Sequence, residues 1–127
     1  WEHALQTAAL ALQAGTSGHL VTAALLHDIG HLVVADAAAG TPTLQGIDDR
    51  HEQRGAQLLG ELFGEAVTAP IRLHVVAKRF LVTTVPGYGD RLSEDSHRSL
   101  ALQGGPMNPT EVDAFRKQRH ADEALRL

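Results

Sequence analysis

His27 and Asp28 stand side by side at the end of the apolar run Ala23-Ala24-Leu25-Leu26, and Ile29, Gly30 and His31 follow at once. One stretch of backbone thus offers an imidazole nitrogen and a carboxylate, and a carboxylate has two oxygens with which to bridge two metal ions. Burying such an aspartate without a cation is costly, so the pair points to metal binding. Taken alone, a His-Asp dipeptide is as easily a solvated helix end. The apolar run before it and the glycine behind it favour the metal reading. His3, His51 and His74 fall in three other expected helices. A lone helical histidine is more often structural or exposed than a ligand, but a bundle can aim one ligand from each of several helices at a common interior point.

Two further side chains belong with this group by spacing. Lys78 lies one helical turn beyond His74, so both project from the same face and the ammonium can meet an anionic substrate; a plain surface lysine is the commoner case. His31 stands one turn beyond His27, placed for a substrate or proton contact rather than for ligation. His19, His97 and His120 read as ordinary histidines: a first helical turn, a polar stretch and a basic, exposed tail.

The chain has 127 residues, 43% hydrophobic and 20% charged, which fits a single soluble globular domain with one modest core. It has no cysteine, so disulfides, thiolate metal sites and cysteine nucleophiles are excluded and any metal must take nitrogen and oxygen ligands. Its net charge is -4 and its Lys and Arg are scattered, which argues against nucleic acid as a partner. No run approaches the roughly 20 apolar residues of a membrane span, and Trp1-Glu2-His3 does not resemble a signal peptide; the reading is cytoplasmic, with no membrane partner. The eight histidines outnumber all Trp, Tyr and Phe together, an unusual allocation for residues of a core.

The elements that position these groups read as helices throughout, giving an all-α bundle of about five to seven helices. The first runs from Glu2 to about Ala14 and stops at Gly15, and the second is capped by Ser17 and reaches His27 and Asp28. Residues Ala35 to Ile47 read as loop, and Asp49 with Glu52 resembles a capping box for a third helix that ends near Phe63. Pro70 is expected in the first turn of a fourth, Ile71 to about Leu81. Val82 to Arg91 reads as loop. Ser93 opens a fifth helix that Gly104-Gly105-Pro106 closes, and Asn108 to Glu111 caps one or two short helices reaching Leu127.

At these residues the sequence resembles the HD-domain superfamily, and more narrowly the HD-domain mixed-valence di-iron oxygenases of phosphonate catabolism. The resemblance rests on Glu2-His3-Ala4-Leu5-Gln6, His27-Asp28-Ile29-Gly30-His31, His51-Glu52 with Gly55-Ala56, His74 through Arg79, and Gln103-Gly104-Gly105-Pro106-Met107. It implies two iron ions, an Fe(II)/Fe(III) pair: one held by His3, His27 and Asp28, the other by Asp28, His51 and His74, with Asp28 bridging. It also implies that Lys78, His31 and Ser96 face the substrate, a small organophosphonate with a hydroxyl on the carbon attached to phosphorus. The reaction it implies consumes dioxygen, cleaves the carbon–phosphorus bond and releases phosphate, with Lys78 and His31 as catalytic residues. The family pattern closes its first iron site with a late Asp, preceded by an Arg, and by position both fall beyond Leu127. The expectation is therefore a single HD domain over 1–127 that lacks its N- and C-terminal ends. Arg119 and Asp122 have the same spacing, but their surroundings align ahead of that motif.

Independently of the resemblance, a mostly imidazole donor set favours redox-capable iron over magnesium, and the point charge of Lys78 suits a phosphonate. Two other readings compete. One is a metal-dependent phosphohydrolase of the same superfamily, acting on a phosphate ester or nucleotide with divalent metals such as manganese or magnesium. The other is a helical binding module without catalysis.

Overall fold

The computed structural model describes residues 1–33 and 50–127, so the expected loop at 35–47 and the expected cap at Asp49 lie outside the described residues. Among them are eight α-helices and no strand: α1 (Glu2–Gln13), α2 (Gly18–Leu26), α3 (Gly30–Val33), α4 (His51–Leu59), α5 (Glu65–Thr84), α6 (Glu94–Leu102), α7 (Pro109–Arg116) and α8 (Ala121–Leu125). A 3-10 turn, Gly89–Arg91, precedes α6. Among the described residues no helix is long and apolar enough to cross a membrane.

The long helix α5 organises the rest because it is buried twice. Its first half sends Val67 and Ile71 into a cluster with Leu20 and Ala23 of α2 and Ala56 and Leu59 of α4. Its second half sends Ala77 and Phe80 into a separate cluster with Met107, Phe115 of α7, and Ala121 and Ala124 of α8. His74 falls between the two. The apolar surface is thus divided so that the middle of α5 is left for polar groups, while α1 packs on α2 and α3 on α4 to close the site from the other side.

Several boundaries follow local chemistry. Ser17 and Ser93 accept backbone N–H groups from Leu20 and Ser96 at the starts of α2 and α6. Asn108 and Glu111 form a reciprocal capping box at α7, which follows directly on the left-handed Gly104 and Gly105. Arg79 locks that turn: its guanidinium donates to the Gly105 carbonyl at 2.7 Å and to Glu111 at 2.8 Å. The backbone N–H of Asn108 and the Arg79 guanidinium hold the Glu111 carboxyl below its usual range. Adjacent residues Lys78 and Arg79 therefore have different tasks, one at a cavity wall and one clamping the turn between α6 and α7.

Other expectations are corrected. Helix α5 starts at Glu65 rather than near Pro70, because Gly64 accepts the N–H groups of Val67 and Thr68 and a proline in the second turn forfeits only one helical bond. It also continues past Leu81 to Thr84, into the segment read as loop. Helix α4 begins after Arg50, whose backbone is left-handed at φ 48 and whose side chain does not cap it. It ends at Leu59 instead of Phe63; Gly60 weakens the helix there, and Leu62 is left exposed. The tail expected to be exposed buries Ala121 and Ala124, and the His120 side chain is only 18% exposed.

Candidate metal centre

Asp28 sits in the three-residue turn between α2 and α3, where the helix read as running through it has already ended. That turn points its two carboxylate oxygens at different groups. Oδ2 lies 3.3 Å from His27 Nε2 and 3.8 Å from His3 Nε2. Oδ1 lies 3.4 Å from His51 Nε2 and 3.6 Å from His74 Nε2. All five side chains that the sequence placed in a metal centre are thus gathered around one carboxylate, with the imidazoles divided two and two between its oxygens.

Helix geometry sets the imidazoles. His27 Nδ1 is 2.7 Å from the Ala24 carbonyl and His74 Nδ1 is 2.6 Å from the Ile71 carbonyl. A carbonyl only accepts, so Nδ1 carries the hydrogen in both rings and Nε2 is the atom turned to the centre. His51 Nε2 and His74 Nε2 are 3.0 Å apart. With His74 Nε2 a bare lone pair, that gap is held by a proton or by a cation. Two nitrogens bound about 2.1 Å from one ion at a right angle stand about 3.0 Å apart, so the pair fits a metal ion. The second set of donors close enough to share an ion with Asp28 and His51 includes His31, whose ring stacks on His51 with centroids 3.8 Å apart.

Charge is arranged to match. Burial opposes ionisation of Asp28, but hydrogen bonds from His27 and His51 and the nearby charge of His27 override it and hold the carboxyl far below its usual range. Burial likewise disfavours charge on His27, yet Asp28 and the Ala24 carbonyl outweigh it and raise its pKa. His74 is pushed down to about 3 by burial and by the imidazoles of His51 and His27. At neutral pH His74 therefore offers a lone pair, whereas below the raised pKa of His27 a cation binding there must displace a proton. Metal affinity is expected to fall as pH drops below the raised pKa of His27, about tenfold per pH unit for each proton displaced. Metal titrations at stepped pH check this; an affinity flat between about pH 5 and 7 contradicts it.

A cavity of about 640 Å³ opens over the cluster. Lys78 and Ser96 line it with His31, so the residues expected to face a substrate share one wall system with Asp28. Ser93 donates its hydroxyl to Ser96 Oγ at 3.0 Å, which leaves the Ser96 hydrogen free to turn to a ligand. The sequence reading missed Ser99 on α6 and Gln103 at its C-terminal cap, which follow Ser96 at helical spacing, and Tyr88 before the 3-10 turn. The 3- and 4-residue steps of a polar stripe were visible, but nothing marked which face of α6 met the site. Ala124 to Leu127 also line the cavity, while exposed Asp122 does not. His19 and His97 are exposed and stand apart from the cavity lining.

Comparison with known proteins shows which family the chain resembles. The HD domain family model matches residues 1–84. The chain is 43% identical over 125 residues, 98% of its length, to the [1-hydroxy-2-(trimethylamino)ethyl]phosphonate dioxygenase (glycine-betaine-forming) of Leisingera caerulea. It is 46% identical over 126 residues, 99% of its length, to the hydroxymethylphosphonate dioxygenase of Gimesia maris, and 32% identical over 126 residues to an uncharacterized protein of Acanthamoeba polyphaga mimivirus. The chain spans 62% of the length of each of the two dioxygenases and 58% of the viral protein.

Proposed function

Since the chain belongs to the HD-domain family, we propose that it carries the dimetal centre of an iron-dependent oxygenase that cleaves the carbon–phosphorus bond of a small hydroxylated organophosphonate. The observation that carries the reading is the division of four imidazoles between the two oxygens of Asp28. His3, His27 and Asp28 would hold one ion and Asp28, His51 and His74 the other, with Asp28 common to both sets. Iron suits a shell of imidazoles with a single carboxylate better than magnesium does. The printed names of the two dioxygenase relatives support the substrate class.

When bound, a mixed-valence Fe(II)/Fe(III) pair supplies the one-electron chemistry that lets dioxygen react at a carbon–hydrogen bond. The chain's own residues bind and orient. Lys78 and Ser96 receive the phosphonate in the cavity, the ammonium meeting its charge and the hydroxyl donating a hydrogen bond. His31, stacked on His51 at the edge of the cluster, contacts the hydroxylated carbon's side of the substrate and can hold a proton there. With both atoms of dioxygen retained, hydroxymethylphosphonate balances to formate and phosphate.

The test is iron reconstitution of the full-length protein under reducing conditions. Two irons per chain, a mixed-valence signal in electron paramagnetic resonance, and one phosphate released per dioxygen consumed are expected. One metal per chain without oxygen uptake rejects the reading, and anaerobic hydrolysis of a phosphate ester with a redox-inert metal replaces it with a phosphohydrolase. Within the oxygenase, Lys78→Met is expected to lower kcat/KM by roughly 10- to 100-fold, the value of one charge-assisted contact, mainly through KM. An unchanged KM for the phosphonate removes Lys78 from the substrate site.

A further inference from the structure

Helix α5 sends two adjacent cations to different tasks. Lys78 lines the cavity, while the Arg79 side chain, 14% exposed, turns to the chain that leaves α6. Its Nε donates to the Gly105 carbonyl at 2.7 Å, and one terminal nitrogen donates to Glu111 at 2.8 Å and to the Gly104 carbonyl at 3.4 Å. The guanidinium also lies flat against Gly104: a Cβ added there would stand 3.1 Å from two of its atoms, on a backbone at φ 113 that side chains rarely adopt. One turn further along α5, the Thr83 hydroxyl accepts the backbone N–H of Met107 at 2.8 Å. Two residues of α5 thus anchor the stretch after α6 by its main chain, and neither the anchors nor the glycines line the cavity.

What the anchor sets is one part of the cavity wall. Gln103 is the C-terminal cap of α6, directly before Gly104, and it does line the cavity. Its side-chain oxygen is buried without a hydrogen-bond partner, a state that calls for a ligand to supply one. Only one rigid peptide separates Gln103 from Gly104, so a shift of the glycine carbonyls carries Gln103 with it while Lys78 stays on α5. The spacing of Lys78 and Gln103 around the cavity is therefore governed by the length and fork of Arg79. A lysine in its place could not serve these acceptors together, because its donors all sit on one atom.

We infer, resting on the phosphonate reading above, that Arg79 is a positioning residue: by holding the Gly104 and Gly105 carbonyls it places the Gln103 amide where that amide and Lys78 meet the same substrate. Arg79 touches neither metal ligand nor substrate and acts through Gln103. The turn itself does not depend on Arg79 alone, since Met107 is buried in the core cluster with Phe80 and Phe115 and is held by Thr83.

The experiment loads the full-length protein with zinc and titrates hydroxymethylphosphonate by calorimetry, for wild type, Arg79→Lys, Gln103→Ala, the two combined, and Glu111→Gln. All should take up two zinc ions with wild-type affinity. Gln103→Ala should weaken phosphonate binding by roughly 10- to 100-fold, the value of a hydrogen bond to a charged group, and Arg79→Lys by about tenfold. Once Gln103 is removed, adding Arg79→Lys should cost no more than about twofold, because the group it places is gone. Glu111→Gln keeps the capping box and takes away only the charge that steadies the guanidinium, so a fall of about two- to fivefold is expected. Wild-type phosphonate affinity in Arg79→Lys, or in Glu111→Gln where Arg79→Lys does not fold, overturns the inference and leaves the phosphonate reading intact. An Arg79→Lys loss that is undiminished without Gln103, or that takes zinc binding with it, also overturns the inference, as a merely structural role. Wild-type protein that takes up fewer than two zinc ions, or no hydroxymethylphosphonate, removes the reading of the site and this inference with it.

Discussion

Asp28→Asn protein is expected to bind neither metal ion of the centre, whereas His3→Ala and His74→Ala each retain one. Asn keeps the shape of the side chain but loses the charge and one of the two oxygens, and those oxygens are what separate the imidazoles into two sets. Oδ2 serves His3 and His27, and Oδ1 serves His51 and His74. Removing the shared carboxylate thus removes a ligand from both ions at once. Affinity should fall by more than about a hundredfold at each, beyond the range for outer partners of a ligand, and activity should fall with it. The fold is expected to survive: Asp28 is held by imidazoles alone, and once the carboxylate is gone His27 loses the main cause that raises its pKa. Metal analysis on the variants, with circular dichroism as a control on folding, reads the pattern. An Asp28→Asn protein that still holds two ions excludes the bridging role.

The pattern of which residues could be read in advance has a physical basis. His27, Asp28, His74 and Lys78 were legible because their spacing is local, one pair adjacent and the other a turn apart on one helix, and helical periodicity converts such spacing into a shared face. His3 and His51 drew attention only as members of a set, since each lies in another helix and its approach to Asp28 depends on tertiary packing. Glu52 drew notice only for its distance from Asp49, which lies outside the described residues, and its burial beside His51 had no local signal. Ser99 and Gln103 were silent because an amphipathic polar stripe facing a cavity has the same spacing as one facing water. The early start of α5 was hidden by Pro70, whose usual place is the first turn, yet burial of Val67 and Ile71 on either side of it outweighs one lost backbone bond. On α1, Leu5, Leu10 and Leu12 supplied helix propensity without burial, and what they position is His3.

Gly30→Ala should be the most damaging glycine-to-alanine change among the described residues. The glycine opens α3 and is buried, and a Cβ built on it would overlap the carbonyl carbon and oxygen of His51, which are backbone atoms at the start of α4. Backbone cannot step aside as a side-chain tip can, so either α3 or α4 must shift. Either movement changes the distance between Asp28, two residues before Gly30, and the ring of His51. Overpacking of a close contact costs roughly 1–3 kcal/mol and more where main chain must move, so about 3 kcal/mol or more is expected here. Gly55→Ala probes the same contact more gently: its Cβ would stand 3.3 Å from Gly30 N and 3.4 Å from a methyl of Ile29, a strain the side chain can partly absorb, costing about 1 kcal/mol. The two variants should also differ in metal content. Gly30→Ala should lose the ion on the His51 and His74 side while His3 and His27 keep theirs, and Gly55→Ala should keep both. Urea unfolding and metal stoichiometry measured together decide it, and a Gly30→Ala protein with wild-type stability and two bound ions refutes the close approach of α3 to α4 on which the geometry of His51 depends.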